Sequence, residues 1–210
     1  MRILEVQYGK FPEVDLFNPR FVRGSNRLRI VLEMDGWESP HPPVALLTDR
    51  LVVLFPTLRE HKCNWEYLGM EGSSPEESAL EIGIQEFGGY EDIAHLVEHL
   101  VIDLQHSVAG MRLCSGVTCC YQDSRDRYDI FVESTDERTG RFAALLAVEV
   151  MNRFLTEGDI DLEYRKVIHF AKYLHRYSTF EIPREGLNED ARRLLGFLVR
   201  FNFLPTEAIY

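Results

Sequence analysis

The chain has 210 residues, of which 45% are hydrophobic and 27% are charged, and its formal net charge is -11 at pH 7. This length and composition suit a folded domain, alone or with an extension, and exclude an intrinsically disordered chain. The acidic balance argues against nonspecific binding to nucleic acid or to anionic membranes, and it is compatible with a cationic ligand.

The first quarter of the chain is predicted to form two strands and a helix. Residues 2–8 are typical of a strand, and residues 27–34 alternate in hydropathy. This alternation places four apolar residues on one face, as expected for a half-buried strand: Leu28, Ile30, Leu32 and Met34. Residues 44–55 are apolar without alternation, which predicts a helix that ends before Pro56.

The middle of the chain contains a polar loop followed by an amphipathic helix. Residues 69–89 are rich in Gly, Ser and Glu and are predicted to form an exposed loop, a candidate lid for a nearby site. Residues 91–108 lack Gly and Pro, and Gly110 marks the expected end of a helix. Its apolar residues recur at helical spacing: Ile93, Leu96, Val97, Leu100, Val101 and Leu104.

The rest of the chain is predicted to form a hairpin and three helices. The hairpin strands are residues 111–121 and 128–134, and the helices are residues 139–155, 159–177 and 187–203. The predicted fold class is α+β, with an antiparallel sheet packed against helices and a C-terminal helical extension. The predicted domains are residues 1–157 and an extension, residues 158–210, packed on them.

The predicted helix of residues 91–108 carries an H-x-x-E-H pattern formed by His95, Glu98 and His99. Residues four apart lie on one face of a helix, so both imidazoles suit two ligands of one tetrahedral zinc ion. Glu98 could activate a metal-bound water as its general base, the arrangement of inverzincins. Asp103 could accept the second ring N–H of an imidazole. The alternative is that these histidines are ordinary residues of a polar helix face.

A zinc site of this kind needs a third protein ligand. The downstream candidates are Glu133, Glu137 and Glu149. Glu133 is favoured because it ends a predicted strand that runs back from the motif helix. Glu60, His61 and Cys63 are ligands by residue type, but structural polar groups in a loop are the more common case for such residues.

Four segments together resemble the N-terminal domain of cyanophycin synthetase. They are FPTLREHKC at 55–63, HLVEHLVIDLQ at 95–105, AGM at 109–111 and YDIFVESTDERTGRFAA at 128–144. The likeness runs from residue 1 to about residue 155. One departure is Gly116-Val117-Thr118, where the family usually has Gly-Arg-Thr.

The resemblance implies a domain that holds a polymer of aspartate and arginine. In some members of the family this domain is similar to a zinc-dependent peptidase that trims the polymer, a role that maps onto His95, Glu98, His99 and Glu133. The first hypothesis is therefore a zinc-dependent amide or peptide hydrolase acting on an Asp-Arg polymer or a related peptide. The second is a non-catalytic module that binds a polymer or a protein.

The expected location is the cytoplasm, with reduced thiols. The four cysteines include no C-x-x-C pair, and no apolar run reaches the length of a membrane-spanning helix. The expected partner is a peptide or polymer, with no nucleic acid and no membrane, and the sequence leaves the oligomeric state open.

Overall fold

A computed structural model describes residues 1–34, 44–61, 90–111, 114–124, 126–157, 163–177 and 187–208. The predicted lid at residues 69–89, and Cys63, lie outside these described residues. The described strands and helices follow one another along the chain in the order that the sequence predicts.

Four strands and five α-helices make up the described secondary structure. The strands are β1 (Arg2–Gly9), β2 (Arg27–Glu33), β3 (Gly116–Cys120) and β4 (Arg127–Glu133). The helices are α1 (Val44–Leu54), α2 (Tyr90–Ala109), α3 (Glu137–Glu157), α4 (Glu163–Arg176) and α5 (Glu189–Arg200). Short 3₁₀ helices cover Pro12–Leu16, Pro56–Glu60 and Thr206–Ala208.

The strands form one antiparallel sheet in the order β1-β2-β4-β3. Ile30 lies opposite Ile130 in the centre, and both are fully buried. Side chains alternate between the two faces of a strand, so buried residues such as these point toward α2 and α3. These two helices pack on that face, which we call the inner face of the sheet. The predicted α+β class and the antiparallel hairpin are confirmed.

The outer face of the sheet is covered in part by the covering loop, which we define as residues 10–26. Val14 and Phe21 of this loop pack on Phe131 of β4, and Phe11 and Val117 border the same small cluster. The prediction that β2 is half-buried is therefore wrong, because Arg27 and Val31 on its outer face are also buried.

Arg27 fixes the covering loop from beneath. Its side chain is completely buried and donates to the carbonyl oxygens of Phe11 (3.1 Å) and Val22 (3.2 Å) and to the carboxylate of Asp15. Its guanidinium also lies 4.3 Å from the centre of the Phe21 ring. A buried cation is tolerated because each of these groups replaces lost hydration.

The helices that follow α3 share the main core. Tyr164, Val167, Ala171 and Leu174 of α4 are buried in the same cluster as α2 and α3, and α4 contacts α2 directly. The division into residues 1–157 and 158–210 stays a prediction. None of the described helices combines the length and the hydropathy of a membrane-spanning segment.

Replacing Arg27 with Leu is expected to lower the free energy of unfolding by about 3 kcal/mol, because Asp15 and two carbonyl groups lose their partner. Denaturant unfolding followed by circular dichroism measures this change. Arg23→Leu is the matched control, since Arg23 is an exposed residue of the same loop and should change stability by less than about 0.5 kcal/mol. Equal losses in the two variants would contradict the role given to Arg27.

Candidate functional site

Helix α2 presents the predicted motif to the interior. Glu98 and His99 are buried, and His95 is partly buried. The apolar stripe of the same helix, including Val97, Leu100 and Val101, packs into the main core. This packing fixes the rotation of α2 about its axis and hence the direction of the polar residues between the apolar ones.

Three imidazoles lie end to end beside α2 and form what we call the histidine chain: His61, His95 and His99. The Nε2 atoms of His95 and His99 are 3.1 Å apart, and the Nδ1 atoms of His61 and His99 are 3.2 Å apart. His99 thus meets its two neighbours through different ring nitrogens. The rings contact one another one after the other, from His95 to His99 to His61, and their nitrogen atoms do not all point to one common position.

His61 reaches this position from the end of the 3₁₀ helix Pro56–Glu60, which contacts α2. From the sequence alone, His61 is expected to be a structural polar residue of a loop, because the local pattern contains nothing about a neighbour 38 positions away. The signal that could have found it is the segment at residues 55–63, which holds His61 and is one of the four blocks that carry the family resemblance.

Asp103 lies next to His61, at the end of the histidine chain opposite His95. It is fully buried, accepts a hydrogen bond from the Thr57 hydroxyl, and lies 3.6 Å from Nε2 of His61. The carboxylate predicted to support an imidazole therefore lies beside one, and that imidazole is His61.

Burial keeps the histidine chain neutral. Loss of hydration lowers the pKa of His61 and of His95 from 6.5 to about 4, with His106 adding to the effect on His61. Burial, followed by the charges of His95 and His61, lowers the pKa of His99 well below its usual value. Neutral imidazoles can each donate at one nitrogen and accept at the other, which matches their connection in sequence.

Glu98 faces the sheet. Its Oε2 atom accepts a hydrogen bond of 2.6 Å from the Thr118 hydroxyl on β3. A Cβ atom built on Gly116 would lie 2.6 Å from Oε1 of Glu98, so the missing side chain of Gly116 provides the space for this carboxyl group. Burial raises the pKa of Glu98 to about 7, although the Thr118 hydrogen bond acts in the opposite direction.

Glu133 binds the covering loop. Its Oε1 accepts hydrogen bonds from the Val22 amide (2.7 Å) and the Ser25 hydroxyl (3.2 Å), and its Oε2 accepts one from the Ser115 amide (3.2 Å). The carboxylate thus ties residues 22–25 to the start of β3. This anchoring role was missed by sequence reasoning, which considered Glu133 only as a ligand.

The two alternative carboxylates form ion pairs on helix surfaces. Glu137 is exposed in the first turn of α3 and pairs with Arg141 at 2.8 Å. Glu149 pairs with Arg200 at 3.0 Å and so links α3 to α5. Among the described residues, the hydrogen bonds and ion pairs of Glu133, Glu137 and Glu149 do not reach the histidine chain. The individual site roles assigned from the sequence stay predictions.

Gly116→Ala is expected to lower the free energy of unfolding by about 1–3 kcal/mol, because the new methyl group would force the Glu98 carboxyl away from Thr118. Thermal and denaturant unfolding measure the loss. Gly9→Ala is the control, since a Cβ atom at this strand position meets no atom within 4 Å. Adding Glu98→Ala should make the Gly116→Ala change less costly, and strict additivity of the two changes would contradict the contact.

Stability is expected to fall as the pH drops from 6.5 to 4. His61 and His95 titrate near 6.5 when unfolded but near 4 when folded, so protons favour the unfolded chain in this window. Each shift corresponds to about 3 kcal/mol. Glu98 acts in the opposite direction, because its raised pKa stabilises the fold below 4.5 and this contribution is lost as the pH rises to about 7.

Denaturant unfolding at several pH values tests the balance between these groups. Glu98→Gln should make the decline from pH 7 to pH 4 steeper, and His95→Asn should make it shallower, because each removes one of the opposing contributions. His169→Asn removes an exposed histidine on α4 and is the control. A His95→Asn profile parallel to that of the wild type would show that His95 is not buried in its neutral form.

Comparisons with known proteins identify relatives of the chain. The family model described as the cyanophycin synthase-like N-terminal domain matches residues 29–156. A cyanophycin synthetase of Geminocystis herdmanii (strain PCC 6308) is 31% identical over 137 residues, which cover 65% of this chain and 14% of the relative. The chain therefore spans about one seventh of the length of that synthetase.

The prediction of a zinc-dependent hydrolase is wrong. Both matches are to proteins named for the synthesis of cyanophycin rather than for its hydrolysis. In the parts of the chain that the structure describes, no group of three or more His, Cys, Asp or Glu side chains is arranged to hold a metal ion. The metallopeptidase centre inferred from the H-x-x-E-H pattern is not supported, because the histidines connect in sequence and Glu98 turns to β3.

The resemblance to a cyanophycin synthetase domain is confirmed, since the family model covers more than half of the sequence. The chain belongs to the family of cyanophycin synthase-like N-terminal domains.

Proposed function

We propose that this domain holds a polymer of aspartate and arginine while a ligase extends it, and that the domain itself performs no chemistry on the polymer. The family assignment supports this role, because the matched relative is named as a cyanophycin synthetase. The observation that carries the proposal is a surface of alternating charge on the outer face of the sheet, beyond the edge of the covering loop.

This charged face is built by strand alternation. Arg29 and Glu33 of β2 and Arg127 and Asp129 of β4 point away from the apolar residues of the inner face. Arg29 donates to Asp129 at 2.8 Å and to the Tyr121 hydroxyl at 3.2 Å. Glu33 lies between Arg2 of β1 and Arg127 of β4. Cations and carboxylates thus alternate across neighbouring strands.

Each unit of an aspartate–arginine polymer presents a guanidinium and a carboxylate. The guanidinium of such a unit can pair with Asp129 while its carboxylate pairs with Arg29, so neither side chain is left unpaired. The side chains of Arg29 and Asp129 keep 26% and 16% of their surface exposed, so a polymer unit can reach both members of the pair. Several weak contacts along one polymer molecule together give strong binding, because each bound unit keeps its neighbours at a high effective concentration. The growing polymer therefore stays bound while individual units dissociate and rebind.

Co-sedimentation of the protein with insoluble aspartate–arginine polymer tests the proposal. The double variant Arg29→Gln/Asp129→Asn should reduce the bound fraction and weaken binding by roughly tenfold, because the neutral pair can no longer exchange with polymer charges. Binding of the wild type should also weaken as the salt concentration rises.

Asp190→Asn is the matched control, since it removes an exposed carboxylate that pairs with Arg193 on α5 and lies off the sheet. Polymer hydrolysis products are measured in the same samples and none is expected. Wild-type protein that stays entirely in the supernatant at low salt would refute the proposal, and so would release of free dipeptide.

A further inference from the structure

Tyr121 extends the charged face by one residue beyond the end of β3. Its backbone amide donates to the Arg127 carbonyl oxygen at 3.2 Å, which continues the hairpin past the last strand pair, Cys120 and Tyr128. Because side chains alternate along a strand, Tyr121 and Arg127 lie on the same face, opposite to the buried Tyr128. The proposed polymer face therefore carries a partly buried aromatic ring beside its charges.

The Tyr121 side chain contacts two guanidinium groups in two different ways. Its hydroxyl accepts a hydrogen bond of 3.2 Å from Nη2 of Arg29. The centre of its ring lies 5.7 Å from the guanidinium carbon of Arg127, within the range of a cation–π contact. The protein's own arginines thus show that both the hydroxyl and the face of this ring suit a guanidinium.

Tyr121 makes these contacts as a neutral phenol. Burial, followed by the charge of Asp129, raises the pKa of Tyr121 above its usual value of 10.0. The ring therefore attracts a cation through its π electrons and not through a net negative charge. This difference is important, because a net charge attracts any cation, whereas a ring face favours a cation that can lie flat on it.

The ion pairs beside Tyr121 are incomplete. Nη2 of Arg29 donates to Oδ2 of Asp129 at 2.8 Å, but Nε of Arg29 and Oδ1 of Asp129 are buried and lack a hydrogen-bond partner among the described residues. The same is true of Nε of Arg127. Buried polar atoms without partners are rare, because each loses its hydration without compensation. A unit with a carboxylate and a guanidinium supplies both kinds of missing partner once these partly exposed side chains adjust.

A guanidinium and an ammonium group differ in the two properties that such a site can distinguish. A guanidinium is planar, binds a carboxylate through two parallel N–H groups, and stacks on aromatic rings. An ammonium group is a compact and strongly hydrated charge, so it loses more hydration when it is placed on a ring. A ring next to an incompletely paired carboxylate therefore favours the guanidinium.

We infer that Tyr121 and Asp129 make the charged face selective for polymer units that carry arginine over units that carry lysine. The inference rests on the proposed function, because it names the group that the same face recognises. The guanidinium of a bound unit pairs with Asp129 and stacks on the ring of Tyr121, in the place of Arg127. The Arg127 side chain is 41% exposed and lies 3.6 Å from Glu33, so it can turn to that carboxylate when the ring is occupied.

Binding of two fluorescently labelled oligomers tests this selectivity with the full chain. The oligomers are short and equal in length and formal charge, and their aspartate units carry arginine in one and lysine in the other. Fluorescence anisotropy should show that the wild type binds the arginine oligomer roughly tenfold more tightly, because a cation–π contact contributes about 2–5-fold per unit and several units bind at once. Tyr121→Leu should reduce this ratio to about twofold or less.

A second variant identifies the part of Tyr121 that acts. Tyr121→Phe keeps the ring and should keep most of the preference for arginine, and a preference as low as that of Tyr121→Leu would overturn the stacking contact. Tyr173→Leu is the matched control, because Tyr173 is a 42% exposed tyrosine on α4, away from the sheet, and its loss should leave both affinities unchanged. Circular dichroism confirms that each variant is folded.

The pattern of the losses separates selectivity from simple support of Arg29. Tyr121→Leu should weaken binding of the arginine oligomer by about fivefold and leave binding of the lysine oligomer nearly unchanged. Equal weakening for both oligomers would mean that Tyr121 only positions Arg29, and it would overturn the inference. Equal affinity of the wild type for the two oligomers would also overturn it, while the proposed function stands. A wild type that binds neither oligomer would refute the proposed function and the inference with it.

Discussion

Two buried charges opposite each other on the central strands hold the outer half of this fold together. Arg27 of β2 and Glu133 of β4 are direct partners in the strand register, yet each directs its polar atoms to the chain around it. Arg27 binds Asp15 and two carbonyl oxygens, and Glu133 binds two amides and a hydroxyl. These hydrogen bonds replace part of the hydration that each charge loses on burial. The covering loop is held against the sheet by these hydrogen bonds.

The inner half depends on apolar packing, and the histidine chain is a consequence of it. Helix α2 buries its stripe against the sheet, α3 and α4, which leaves one side for polar residues. That side lies inside the protein, so its imidazoles lose hydration and become neutral. The neutral imidazoles form hydrogen bonds with one another, and Asp103 and Thr57 continue these contacts beyond His61. Gly116 leaves room for the carboxyl group of Glu98. The polar interior is thus organised by hydrogen bonding between the described side chains.

The sequence predicts most of the fold because the signals for its elements are local. The alternation in β2, the apolar stripe of α2 and the hairpin of β3 and β4 are all visible in short windows of sequence. The candidate site is less predictable, because its contacts join distant positions. The spacing of His95 and His99 places both on one side of a helix, but it does not fix which ring nitrogens meet or that His61 joins them. Glu133 shows the same limit, since its partners Val22 and Ser115 are separated from it by 111 and 18 positions.

The division between interior and surface explains why membership of a synthetase family is compatible with a motif typical of hydrolases. The H-x-x-E-H residues are engaged inside the domain, whereas charges of both signs remain on the outer face of the sheet. In the proposed function, this face is the part of the domain that meets the polymer. The covering loop borders the same face, and Val117 of β3 packs on the cluster of Val14, Phe21 and Phe131 that holds the loop to the sheet. This apolar contact adds to the attachment of the loop, and the proposed polymer contacts lie on the charged strands beside it.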